Sequence, residues 1–240
     1  MSKISTGSQD LDEWLEGGYD TDVITTFYGP AGSGKTNLCL IAAAEQAALG
    51  KKVIYIDTEG GFSVERLKQL ANFDVMQNIV VLKATTFEEQ KEAFNKLLEL
   101  VNKNIGLIIV DSLVMLYRLE LGEASSEKDF NKIQIINRSL VKQLRVLSEI
   151  ARKKDIPVLV TDQVYSDFLS SEDYEQGKQK SFSMVGGDII KYWSKCIFEL
   201  ENLGHGRKRI SIKKHRSLPE KKLEFEIIDE GIKKPKFKLF

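Results

Sequence analysis

Residues 23–50 read VITTFYGPAGSGKTNLCLIAAAEQAALG, and at their centre Gly29-Pro30-Ala31-Gly32-Ser33-Gly34-Lys35-Thr36 fills every fixed position of the phosphate-binding loop pattern G-x-x-x-x-G-K-[ST]. Both flanks suit it. Val23 to Tyr28 is β-branched and aromatic, as a buried strand is, and from Thr36 onward Ala and Leu dominate until Gly50, a good helix stop. An ordinary glycine-rich turn before a helix is the bland alternative, and flanks of this kind disfavour it. The glycines let successive backbone N–H groups turn inward around a phosphate, where the positive end of the helix dipole adds attraction. Lys35, its ammonium expected to be exposed in the empty loop, would reach the β- and γ-phosphates of ATP, and the Thr36 hydroxyl would hold Mg2+. Asn37 is counted with the loop as nucleotide-binding.

A chain of 240 residues, 42% hydrophobic and 29% charged, fits one α/β domain over residues 1–240, with a mostly parallel sheet flanked by helices. Its formal net charge is zero, so the whole chain does not advertise nucleic acid. The distribution is less even. Residues 204–240 hold twelve Lys or Arg against five acids, which makes the C-terminal end basic and the rest acidic. Cys39 and Cys196 sit in apolar runs, which favours reduced, buried thiols and a cytoplasmic protein. No apolar run approaches the roughly twenty residues of a membrane span, and the start lacks an apolar signal core. With only His205 and His215 beside the two cysteines, a structural zinc site is not expected.

Lys52 to Asp57 (KVIYID) reads as a second buried strand running into Thr58-Glu59-Gly60-Gly61. A carboxylate at that edge is placed to polarise a water in line with the γ-phosphate, which makes Glu59 the candidate, against a plain solvated acid. Gly106 to Ser112 (GLIIVDS) has the look of a central parallel strand that delivers Asp111 to the same edge, on the magnesium side. Helices are predicted over Ser8–Leu15, Ser63–Ala71, Thr86 to about Asn102 with a capping box at Thr86-Phe87-Glu88-Glu89, and Asp129–Lys154. Further strands are predicted over Ile79–Leu82 and Ile156–Thr161. Tyr117–Lys128 and Tyr165–Phe182 are polar and without periodicity, so both read as loops, the second long enough to be functional. After Gly186-Gly187-Asp188 come a short helix carrying Trp193 and strands over Lys195–Leu200, Arg207–Lys213 and Leu223–Ile228.

The order of these motifs, with ISTGSQDLDEWLEGG leading in, then YIDTEGGF, LIIVDS, VTDQV and MVGGDII, resembles the RecA-like P-loop ATPase core of the RecA/RadA recombinase family over nearly the whole chain. GGDIIKYWSK and KKHRSLPE resemble the archaeal RadB-type paralogues within it. The resemblance implies that Glu59 activates the hydrolytic water, that Arg66 stacks on adenine and that Gln163 senses the γ-phosphate. It makes Tyr117–Lys128 and Tyr165–Val185 the two DNA-binding loops, with Arg118, Lys178 and Lys180 as basic contacts. The tail from Lys233 to Phe240 (KKPKFKLF) is basic and aromatic, and reads equally as a DNA-contacting tail or an edge strand. Three departures accompany the likeness. No helical DNA-binding domain or Phe-x-x-Ala tether precedes the core, Asp188 stands where recombinases have a histidine, and Lys214 stands where they have an acidic cap residue. Lys214 and Arg216 would then act as fingers on a neighbour's ATP or meet DNA.

The implied function is that of an ATP- and DNA-binding accessory protein of homologous recombination and DNA repair, a weak ATPase without strand exchange. It would bind single-stranded or branched DNA and modulate the main recombinase or a junction-cleaving nuclease; a homodimer is compatible with it. The rival is a KaiC-like signalling ATPase that binds no DNA. A partner-binding module with a decayed ATP site is opposed by the intact Lys35, Thr36, Glu59, Asp111 and Gln163.

Overall fold

Alternating apolar strands and helices build one large sheet with helices against both faces. The computed structural model describes residues 2–71, 73–166, 182–184 and 186–235; Lys178, Lys180 and the tail from 236 lie outside them. Short strands β1 (Lys3–Ile4) and β2 (Tyr19–Asp20) flank α1 (Gln9–Trp14). Then come β3 (Ile24–Gly29), α2 (Lys35–Ala48), β4 (Lys52–Asp57), α3 (Val64–Leu70), a 3-10 turn over Phe73–Asn78, β5 (Ile79–Lys83) and α4 (Phe87–Leu100). They are followed by β6 (Ile105–Asp111), α5 (Met115–Ser126), α6 (Phe130–Lys154), β7 (Val158–Ser166), β8 (Phe182–Met184) and α7 (Gly187–Trp193). Four strands follow among the described residues: β9 (Ser194–Gly204), β10 (Arg207–Lys214), β11 (Lys222–Ile228) and β12 (Gly231–Lys233).

The sheet order is β12-β11-β10-β9-β3-β7-β6-β4-β5, parallel from β9 to β5 and antiparallel from β9 outward to β12. Alternation along each central strand explains its two-sided burial. Val53, Tyr55, Leu107, Ile109 and Leu159 join the core under α2, while Ile54, Ile56, Ile108, Val110, Val158 and Val160 join the core under α4, α5 and α6. Register then decides what meets at the C-terminal edge of the parallel strands. Asp57 lies opposite Asp111 and Gly29 opposite Gln163, so four motif-bearing strand ends converge there.

Two predicted loops are corrected. Residues 117–128 are mostly helix α5, because Leu116, Tyr117 and Ala124 are buried at helical spacing and Tyr117 sits edge-on to Phe87, centroids 6.2 Å apart. Its phenol also donates to Asn137 Oδ1 of α6 at 2.8 Å. The polar residues that suggested a loop are the solvent face of that helix. The second loop is shorter than predicted, since β7 continues to Ser166 and pairs antiparallel with β8, Val164 opposite Met184. The capping box at Thr86 and Glu89 is present as expected.

Candidate nucleotide site

β3 ends at Gly29, where a Cβ would lie 2.2 Å from the Leu200 carbonyl of β9, so only glycine lets the loop leave the sheet this closely. The loop closes at Gly34, the N-cap of α2, with φ +104°, a left-handed conformation that glycine adopts without a Cβ penalty. Lys35 follows and turns back over the loop. Its Nζ donates to the Gly29 carbonyl at 2.7 Å and the Pro30 carbonyl at 3.0 Å. Contrary to the sequence expectation, the residue is buried, 8% exposed. Burial pulls its pKa below the ordinary lysine value, opposed by the carboxylates of Glu59, Asp111 and Asp162.

Thr36 and Asp111 both border a third residue, Gly61. A Cβ on Gly61 would stand 3.5 Å from Thr36 Oγ1 and 3.7 Å from Asp111 Oδ2, so the two oxygens border one small gap. A hydroxyl and a carboxylate are hard oxygen donors of the kind Mg2+ takes beside phosphate, and the residues present fit that ion. Asp111 is oriented by two hydroxyls: Tyr55 donates to Oδ2 at 2.7 Å and Thr161 to Oδ1. Neither was singled out from sequence. Period-2 alternation held the signal, since Tyr55 and Thr161 share with Asp111 the face of the sheet that packs on α2.

The turn that carries Glu59 is held at both ends. Asp57 accepts from the Gly61 and Phe62 N–H groups at 3.1 and 3.3 Å. Thr58 donates to the Ser112 carbonyl at 2.7 Å, and its oxygen accepts from the Ser112 N–H at 2.8 Å. Across the gap, the Gln163 amide donates to both Glu59 carboxylate oxygens, at 3.0 and 2.9 Å. Next to Gln163, Asp162 is 1% exposed and no side chain bonds either of its oxygens. Burial pushes its carboxyl well above the ordinary range, a shift that the Gln163 backbone N–H opposes first and nearby Lys35 and Arg118 after it.

Arg66 fastens the far side of the loop to the C-terminal strands. It donates to Asn37 Oδ1 at 2.9 Å, to the carbonyls of Ile228 and Asp229 at 2.7 and 3.0 Å, and to Gln69 at 2.8 Å. Lys208 of β10, which sequence reading passed over, donates to the Gly32 carbonyl at 2.5 Å.

The remaining predicted residues lie elsewhere. Arg118 is exposed on α5. Asp188 points to solvent at the start of α7, 3.8 Å from Lys191. Because β10 runs antiparallel to β9, its last residue, Lys214, lies at the sheet edge opposite the phosphate loop, where its Nζ donates to the Lys191 carbonyl at 2.6 Å. Arg216 is tied within the chain, with Nε 2.9 Å from Asp20 and a forked pair of bonds to Asp22 at 2.9 and 2.5 Å. At that edge Asp20, Cys196 and His215 bring ligand-type atoms within 4.8 Å of one another. His215 Nδ1 accepts the Ser217 and Leu218 N–H groups, which leaves the proton on Nε2 facing Asp20, and Arg216 already neutralises that carboxylate. The cluster is held by the Arg216–Asp20 ion pair and hydrogen bonds.

A family model described as Rad51 matches residues 1–235. The chain is 38% identical over 238 residues to the DNA repair and recombination protein RadB of Methanobrevibacter smithii, covering 96% of this chain and 95% of that protein. With the protein of the same name from Methanococcoides burtonii it shares 39% over 235 residues, 96% of this chain and 97% of the other. With that from Methanocaldococcus jannaschii it shares 38% over 225 residues, 92% and 98%. Among solved structures, the crystal structure of the RadB recombinase superposes with a TM-score of 0.74 at 32% identity, over 97% of this chain and all of that one.

Proposed function

Because this chain belongs to the Rad51 family and resembles its RadB members over nearly its whole length, we propose that it serves recombination and DNA repair as an ATP- and DNA-binding accessory protein. The observation that carries the nucleotide half is the convergence of Thr36, Asp111 and Lys35 beside a Glu59 already engaged by Gln163. Lys35 turns from two carbonyls to the β- and γ-phosphates. Thr36 and Asp111 would hold Mg2+, whose charge would offset that of the phosphates. The Arg66 guanidinium, anchored along its N–H edge, offers its flat face to adenine.

Gln163 is bonded to the carboxylate that would align water. With nucleotide bound, the Gln163 amide would turn to the γ-phosphate and leave Glu59 free to orient the nucleophile. Hydrolysis is expected to be weak, since Asp188, turned to solvent and bearing a negative charge, is no link between γ-phosphate and DNA. DNA binding then relies on cations such as Arg118 and on residues 165–185, and is salt-sensitive. The protein acts alongside the main recombinase or a junction-cleaving nuclease without exchanging strands itself.

The test is Lys35→Ala, assayed for ATP affinity, thermal unfolding and single-stranded DNA binding over a salt series. Losing a charged hydrogen-bond donor to phosphate should lower ATP affinity at least about tenfold with the fold retained. Undiminished affinity would remove the loop from the site. If the wild type binds ATP but no DNA at any salt, the signalling-ATPase reading replaces this one.

A further inference from the structure

We propose that Lys208 is a positioning residue of the phosphate loop, supplied by the same chain, which fixes the loop for polyphosphate and adds a second cation beside Lys35; this rests on the nucleotide reading above. The sequence pointed to cations of the C-terminal strands reaching ATP from a neighbouring subunit, through Lys214 and Arg216. In the fold those two lie at the wrong edge within their own subunit, and the first turn of β10 delivers a lysine to the loop instead.

Three observations converge. First, Lys208 is half-buried, with its stem over the loop: Cδ and Cε stand 3.2 and 3.8 Å from where a Cβ of Gly34 would be, beside Ile227 Cδ1 at 3.3 Å. Second, the peptide between Gly32 and Ser33 is held at both ends, its carbonyl by Lys208 Nζ at 2.5 Å and its N–H by the Pro30 carbonyl at 3.2 Å. That fixes the orientation of the loop just before Gly34, Lys35 and Thr36, whose N–H groups open the helix without intrahelical partners. Third, two other cations on β10 are neutralised, Arg209 by Glu224 at 2.8 Å and Lys213 by Glu199 at 3.1 Å. Lys208 meets a carbonyl in place of a carboxylate, so its full charge and two further N–H donors remain for an anion.

The experiment compares wild type, Lys208→Met and Lys208→Arg for binding of ATP and of inorganic tripolyphosphate, from low to moderate salt, with thermal unfolding of each. The methionine variant keeps the stem and loses the charge. Its affinity for both ligands should fall about three- to tenfold, with a shallower dependence on salt and an unchanged unfolding temperature, and arginine should restore most of the loss. Equal affinity of Lys208→Met and wild type overturns the inference while leaving the nucleotide site standing, and so does an equal loss in Met and Arg variants, which would mark a packing role. A wild type that binds neither ligand overturns the reading of the site and this inference with it.

Discussion

The phosphate loop and the Arg216 cluster, at opposite edges of the sheet, hold charge in different ways. At the edge where the parallel strands end, Lys35 and Lys208 are held by backbone carbonyls and Asp111 by hydroxyls. At the other edge, Arg216 is bonded to Asp20 and Asp22, and His215 faces the same Asp20. Neutral partners leave a formal charge available to a ligand, whereas ionic partners consume it. The charges of Lys35 and Lys208 therefore remain available to a ligand at the loop, whereas that of Arg216 is taken up by its two carboxylates.

The strongest break of this contrast is Glu59→Gln. The amide keeps its shape but cannot take a proton or align water as a carboxylate does, so hydrolysis should fall by about 10²- to 10⁴-fold with ATP affinity retained. A single-turnover assay decides it, and equal rates would make Glu59 only a strand-end acid.

Arg216→Ala tests the other edge. Asp20, 3% exposed, would keep a buried charge without its partner, at a cost of about 3 to 5 kcal/mol in urea unfolding, with ATP affinity unchanged. Loss of nucleotide binding at equal stability would instead assign Arg216 to ligand. The same variant should alter the acid limb. The hydrogen bond from Arg216 holds the Asp22 carboxyl below its ordinary value of 3.8, so this contribution is present above that pH and lost as pH falls through the lowered value. Without Arg216 the loss in that window should flatten.

The smallest effect sharpens the comparison from within the phosphate-loop edge. Thr86 caps α4 just beyond the end of β5, with its hydroxyl accepting the Glu89 N–H at 3.2 Å. Thr86→Ala should cost about 1 kcal/mol of stability and leave ATP binding untouched, which would show that position at this edge does not by itself confer a role.

Most of the site was legible because local rules carry it. A glycine pattern before a helix marks the phosphate loop, and an apolar run ending in an acid marks a strand that stops at the ligand edge. Asp111 was found that way, as was Glu59. Tyr55 and Thr161 were not, although strand alternation puts both on the face of Asp111. Lys208 gave no signal at all, since nothing in GHGRKRI says which lysine or arginine would cross β9 to the loop. The helix α5 was missed for a different reason: its buried positions begin at Leu116, one residue before the segment that was read as polar.

The sequence by itself determined the class of fold, the identity of the loop and the chemical type of group at each strand end, because steric freedom of glycine and the alternation of side chains act over a few residues. Only the tertiary structure decided which charges are spent. Gln163 and Glu59 are 104 positions apart and Arg216 and Asp20 are 196, and whether such pairs meet depends on strand order and direction. Antiparallel β10 sends Lys208 to the nucleotide edge and Lys214 to the opposite one, six residues on, and no local pattern encodes that direction.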